Sequence, residues 1–334
     1  MAAKSLRIGV IGDGGWGTAS AVLLARNGHR VRLFGLFPEY LEEMARTRIN
    51  RKFLPGTKIP PEVELVAGLP ALLESVELLV QAVPTRFLRD AMKAVAPACP
   101  RGVPMVSLTK GIEMGTHLRP TQILRETLGA RTPLAALSGP SLADEVAAGV
   151  PTSVVAASTS AELARRVQAA FSGRTFRAYA STDLVGVELG GALKNVIAIA
   201  AGIADGLGFG DNTKAALLTR GQTEMARLGT ALGGRSKTFY GLSGIGDLMV
   251  TAMSPRGRNR TVGERIGKGE TLAGILAGMD MVAEGVTTVK AVRDLASMHK
   301  VVMPISEEVY RVLYEGKDPL AGVTDLMTRT LKKE

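Results

Sequence analysis

Apolar positions along the chain follow two rhythms. Up to about residue 183, short β-prone runs alternate with segments whose apolar residues recur every three to four positions; beyond it only the helical spacing remains. Residues 6–11, 31–35, 63–66, 78–82, 105–108, 134–137 and 153–157 read as strands. Residues 18–27, stopped by Gly28, together with 87–95, 119–128 and 161–170, read as helices. Such alternation predicts an α/β fold with a doubly wound, mostly parallel sheet. Ser181-Thr182-Asp183 offers an N-cap, after which residues 196–204, 213–232, 261–266, 287–299, 305–314 and 320–331 predict an all-α C-terminal domain. The division is placed at 1–185 and 186–334, in keeping with a length of 334 residues.

Composition narrows the class. The apolar share is 46%, and the single cysteine, Cys99, has no intrachain partner for a disulfide. Residues 1–5 run into the first strand without the regions of a signal peptide, so a cytoplasmic location is expected. The most apolar run, residues 196–204, is far short of a membrane span. A net charge of +10 admits nucleic acid or phosphorylated ligands, but aromatic residues at 4% are poor material for base stacking, and no nucleic-acid partner is expected. No metal is expected either.

The first strand runs into Gly12-Asp13-Gly14-Gly15-Trp16-Gly17 and then a helix. This is the dinucleotide fingerprint in its required context, and it makes the fold Rossmann-type. Gly12 permits the tight turn, Gly14 lets backbone approach a pyrophosphate, and Gly17 lets helix pack on strand. An acid should close the second strand to hold a ribose hydroxyl, yet Leu36 and Phe37 stand there. Arg46, Arg48 and Arg51 are candidates to meet a 2′-phosphate instead.

Three further segments follow strands, where ligands of such sheets bind: Val83-Pro84-Thr85, Thr109-Lys110-Gly111 and Ser138-Gly139-Pro140-Ser141. Lys110 reads equally as a solvated turn residue. In the helical half, Gly190-Gly191-Ala192-Leu193-Lys194-Asn195 opens the uncharged run 196–204, and an ammonium there is costly unless compensated. Gly246-Asp247 with Thr251 puts a carboxylate and a hydroxyl on one helix face. Arg256-Gly257-Arg258-Asn259-Arg260 reads as a basic loop before a helix starting at Thr261, and residues 206–212 as a glycine-rich closing loop or a plain connection.

Taken with Phe53-Leu54-Pro55-Gly56 and Glu284-Gly285, these ordered motifs resemble the NAD(P)-dependent glycerol-3-phosphate dehydrogenases nearly end to end. The resemblance implies an oxidoreductase that reversibly reduces dihydroxyacetone phosphate to sn-glycerol 3-phosphate with NAD(P)H, supplying glycerophospholipid synthesis. It implies Lys194 as proton donor and acceptor, with Lys110 and Asp247 completing the catalytic set. Lys110, Gly139, Ser141, Lys194, Asn195, Asp247, Thr251, Arg258 and Asn259 are the implied substrate contacts, Arg258 and Asn259 taking the phosphate. Gly12, Gly14, Gly15, Trp16, Gly17, Lys110, Ala143, Arg258, Val282 and Glu284 are the implied cofactor contacts, and a homodimer is implied as well.

Two departures stand out. Leu36-Phe37 replaces a polar pair usual in the family, which leaves NAD against NADP open, and Gly257 stands where a serine often precedes Arg-Asn. Related two-domain reductases acting on β-hydroxy acids or ketopantoate also carry a lysine early in the linking helix; Asp247 and Arg258-Asn259 discriminate against them. A cofactor-binding protein without turnover is opposed by the retained Lys194.

Overall fold

A computed structural model describes residues 5–331. Met1 to Lys4, part of the segment read for a signal peptide, lie outside the described residues. The strands are β1 (Arg7–Ile11), β2 (Arg30–Phe34), β3 (Ile49–Asn50), β4 (Leu54–Lys58), β5 (Val63–Val66), β6 (Leu78–Gln81), β7 (Met105–Ser107), β8 (Leu134–Ser138), β9 (Thr152–Ala157) and β10 (Phe176–Ser181). Eight of them form one sheet in the order β10-β9-β8-β7-β6-β1-β2-β5, and β3 and β4 pair as a separate antiparallel ribbon. Within the large sheet only β8 and β9 run antiparallel. The order reverses beside β1, which lies between β2 and β6, so the turn after β1 occupies the switch point where such sheets bind ligands.

Strand pleat and helix stripe agree on where the core sits. Along β6, Leu78 and Val80 join one buried cluster and Leu79 joins the other. On one side Leu24 and Phe171 come from helices Gly15–Arg26 and Ala161–Phe171; on the other Leu88 and Ile123 come from Thr85–Val95 and Pro120–Leu128. Each such side chain, fully buried, stabilises by about 1.5–3 kcal/mol. β10 escaped the pattern because it is an edge strand: Phe176 and Ala178 are buried while Arg177 and Tyr179 face water.

The described residues divide into two compact units. The first runs to Lys110 and again over Leu118–Glu188; the second takes Gly111–His117 and the chain from Leu189 onward. Residues 111–117, assigned by pattern to the α/β half, thus belong with the helices, where His117 Nε2 lies 3.0 Å from Asp294 Oδ2.

Helix Leu184–Gly206 is capped by Asp183, whose Oδ1 accepts the Gly186 N–H at 3.0 Å. It corrects the shorter reading: Gly190 to Asn195 lie inside the helix rather than opening it. At 23 residues it is long and apolar enough to cross a membrane, contrary to the estimate from residues 196–204, but 94% of its most apolar window is buried inside the protein, as in a core helix. The other helices of the second unit include Asp211–Ala231, Asp247–Met253, Arg258–Gly267, Glu284–Met298 and Pro304–Tyr314. The segment read as 320–331 forms a helix only over Pro319–Met327.

Glycines set one crossing in this unit. A Cβ on Gly202 would lie 2.0 Å from Arg260 O, one on Gly206 2.2 Å from Glu264 O, and one on Gly263 2.0 Å from Ile199 O. Helices Leu184–Gly206 and Arg258–Gly267 therefore touch backbone to backbone. The same contact shortens the supposed closing loop, since Gly206 is helical and the next helix starts at Asp211.

Candidate active site

In the first unit, the turn after β1 is built around its glycines. Gly12 has φ +106°, and its N–H donates to Phe34 O at 2.9 Å; a Cβ on Gly17 would lie 1.9 Å from Gly12 O. Helix Gly15–Arg26 starts without a side-chain cap, which leaves first-turn N–H groups for a ligand. A Cβ on Gly14 would meet nothing within 4 Å, so space lies open above the turn. Asp13 Oδ2 and Trp16 Nε1 are buried without hydrogen-bond partners among the described residues. An open cradle, free amides and two orphaned polar atoms fit a dinucleotide, its pyrophosphate on the amides. Ala143, at the start of helix Ala143–Ala148, is placed beside Gly15: its Cβ lies 3.8 Å from where a Gly15 Cβ would be.

The hairpin β3–β4 holds this turn and was not read from the sequence. Asn50 Nδ2 donates to Asp13 O at 2.7 Å and to Thr18 Oγ1 at 2.8 Å, while Tyr40 OH donates to Asn50 Oδ1 at 2.5 Å. Arg48, expected to be available for a 2′-phosphate, instead donates to Ile59 O at 3.2 Å, to Val63 O at 2.8 Å and to Pro60 O. Arg51 pairs with Glu43 at 3.3 Å.

The three segments after β6, β7 and β8 come together. Thr109 Oγ1 donates to Val83 O at 2.6 Å, and Lys110 Nζ to Gly139 O at 2.9 Å and Ser141 Oγ at 3.5 Å. Gly139, at φ +146°, lies so close to β9 that a Cβ would stand 2.9 Å from Val154 Cα.

In the second unit, Lys194 Nζ lies 3.0 Å from Asp247 Oδ1 and donates to Thr251 Oγ1 at 2.5 Å. Thr251 Oγ1 in turn donates to Asp247 O at 2.7 Å, the one-turn spacing expected of that helix. Exposure of the Lys194 and Asp247 side chains is 7% and 2%, so the cost of burying the amine is offset by a carboxylate and a hydroxyl. A five-residue π turn, Leu242–Gly246, delivers Asp247, and a Cβ on Gly190 would stand 2.5 Å from its Ser243 O.

Beside this pair runs a polar chain. Asn259 Nδ2 donates to Asn195 Oδ1 at 2.8 Å, and Asn259 Oδ1 accepts the Gly285 N–H at 2.9 Å. Arg258 Nη1 donates to Val282 O at 2.8 Å; desolvation lowers the guanidinium's proton affinity and the Glu284 carboxylate opposes that. Val282 and Glu284 thus gather around Arg258. The basic-loop reading needs correction: the helix starts at Arg258, not Thr261, because Gly257 is its N-cap residue. Arg260 is committed inside that helix, to Asp205 at 2.7 Å and Glu264 at 3.0 Å.

Both units match known families. Residues 7–164 match the NAD-dependent glycerol-3-phosphate dehydrogenase N-terminus and residues 183–324 the corresponding C-terminus. A glycerol-3-phosphate dehydrogenase [NAD(P)+] of Prosthecochloris aestuarii is 48% identical over 329 residues, covering 98% of this chain and 99% of the relative. One from Geobacter sp. (strain M21) is 49% identical, covering 98% of each. The crystal structure of glycerol-3-phosphate dehydrogenase from Coxiella burnetii superimposes with a TM-score of 0.93 at 37% identity, covering 97% of this chain and 99% of that one. With a glycine cradle in one unit, a buried lysine–aspartate pair in the other, and both halves matched in order, the chain belongs to the NAD-dependent glycerol-3-phosphate dehydrogenase family.

Proposed function

We propose that this chain reversibly reduces dihydroxyacetone phosphate to sn-glycerol 3-phosphate with NAD(P)H, with Lys194 moving the proton. The observation that carries the reading is the buried amine of Lys194, 3.0 Å from Asp247 and 2.5 Å from Thr251. When bound, the nicotinamide supplies the hydride that reaches C2 of the ketone. Lys194 Nζ gives its proton to the C2 oxygen as charge develops there; in reverse the neutral amine takes the hydroxyl proton back. Asp247 and Thr251 hold the amine in one place.

Arg258 and Asn259 take the substrate phosphate, where a guanidinium offers paired N–H donors to phosphate oxygens. Lys110, Gly139 and Ser141 are the remaining proposed substrate contacts. Gly12, Gly14, Gly15, Trp16, Gly17, Lys110 and Ala143 are proposed to hold the cofactor, and Arg258, Val282 and Glu284 are proposed as further contacts to it. We also propose a cytoplasmic homodimer that feeds glycerophospholipid synthesis. Initial rates with dihydroxyacetone phosphate, using NADH and NADPH side by side, test the reaction; oxidation of cofactor only with a non-phosphorylated keto acid would overturn it.

A further inference from the structure

The second strand ends without the acid that meets an adenosine ribose in NAD-binding sheets, since Gly35 is followed by Leu36 and Phe37, which are 64% and 70% exposed. The place is acidic all the same. A Cβ on Gly35 would lie 2.3 Å from Asp13 Oδ2 and 2.4 Å from its Cγ, so the Asp13 carboxylate fills the space where a side chain of the strand would begin. Gly35 makes that room. The Tyr40–Asn50 network fixes the Asp13 backbone. Its Oδ2 is buried without a hydrogen-bond partner among the described residues. Burial pushes the carboxyl's pKa up, with its own backbone N–H pulling the other way.

The candidate cations for a 2′-phosphate are spent or distant. Arg48 is bound to three carbonyls, Arg51 pairs with Glu43, and Arg32 is held by Glu64, Glu74 and Ala71 O. Arg46 sits near the far end of helix Pro38–Thr47, about 12 Å along the axis from its start.

We propose that Asp13 replaces the strand acid: its carboxylate accepts the hydrogen bond of the adenosine ribose 2′-hydroxyl, and its charge excludes a 2′-phosphate, so the chain selects NAD(H) over NADP(H). This rests on the glycine turn being the cofactor site. A ribose hydroxyl brings a donor to a carboxylate at the end of the strand, whereas a phosphate brings negative charge and acceptors.

Calorimetric titration of the full chain with ADP-ribose and with 2′-phospho-ADP-ribose tests the inference without turnover. The wild type is expected to bind ADP-ribose at least about tenfold tighter. That ratio is expected to narrow to about threefold or less in Asp13→Asn and Asp13→Ala, with circular dichroism confirming folded protein. Gly35→Ala, whose methyl displaces the carboxylate while leaving Asp13 in the chain, provides a second route to the same narrowing. Equal affinities or a preference for the phosphorylated compound in the wild type, or an unchanged ratio in the folded variants, overturns the proposal while leaving the dinucleotide site in place. Binding of neither compound overturns the site itself, and the proposal with it.

Discussion

The Lys194 ammonium and the Asp247 carboxylate stand 3.0 Å apart in surroundings almost closed to water. Taking either away leaves the other buried without its countercharge. Lys194→Ala and Asp247→Ala are each expected to destabilise the fold by about 3 kcal/mol, and the double variant by less than the sum. Urea unfolding of the four proteins reads out this cycle; strict additivity would mean that the pair is not coupled.

Chemistry is expected to follow the amine rather than the fold. Lys194→Ala should lower kcat by about 10²–10⁴, the usual contribution of a general acid, while fluorescence titration shows cofactor binding within about threefold of wild type. Near-normal turnover would remove Lys194 from the mechanism.

Arg258→Ala is expected to lower kcat/KM for dihydroxyacetone phosphate by about 100-fold, the loss of charge-assisted bonds worth ~3 kcal/mol. Slow reduction of unphosphorylated dihydroxyacetone at saturating cofactor should fall much less. Equal losses on the two ketones would mean that Arg258 does not read the phosphate.

Glu224 gives the fold a pH dependence of its own. It accepts the N–H groups of Ile305 at 2.6 Å and Ser306 at 3.1 Å, at the start of helix Pro304–Tyr314. Burial nevertheless pushes its pKa from 4.5 up to about 7. Between those values the folded state binds the proton that the unfolded state has released, so this contribution is complete below pH 4.5 and lost as pH rises through about 7. Unfolding free energies across that range, taken as wild type minus Glu224→Gln, are expected to fall by ~3 kcal/mol. A flat difference would show that Glu224 titrates normally.

Gly190→Ala places a methyl 2.5 Å from Ser243 O, on the turn that delivers Asp247. A loss of about 1–3 kcal/mol in stability is expected from the strain. Because the displaced turn carries Asp247, kcat should fall as well, and melting curves with initial rates separate the two effects.

The fold was legible where the signal is local. Leu6 to Ile11 followed by three spaced glycines carries its own strand, turn and helix, and Asp247 with Thr251 needs only one helical turn to be read as a pair. What escaped depends on distant partners. Asn50 looks like any loop residue until it is seen on Asp13 and Thr18, and Asp13 looks like filler in a glycine motif until its carboxylate is seen in the space a Gly35 side chain would take. Arg48 looks available until three carbonyls claim it. Gly206 reads as flexibility in sequence, yet in the fold it is a point of contact, since the same missing side chain serves either purpose.

That contact has a consequence for substrate choice. Lys194 and Asn195 ride on one helix, Arg258 and Asn259 on another, and at Gly202, Gly206 and Gly263 the two rods meet backbone to backbone. If they act as the proposed proton donor and phosphate clamp, the two pairs are held as the jaws of a fixed gauge. On the proposed function, a phosphorylated ketone one carbon shorter or longer is expected to leave either its carbonyl or its phosphate out of reach, so that length as well as charge would be measured.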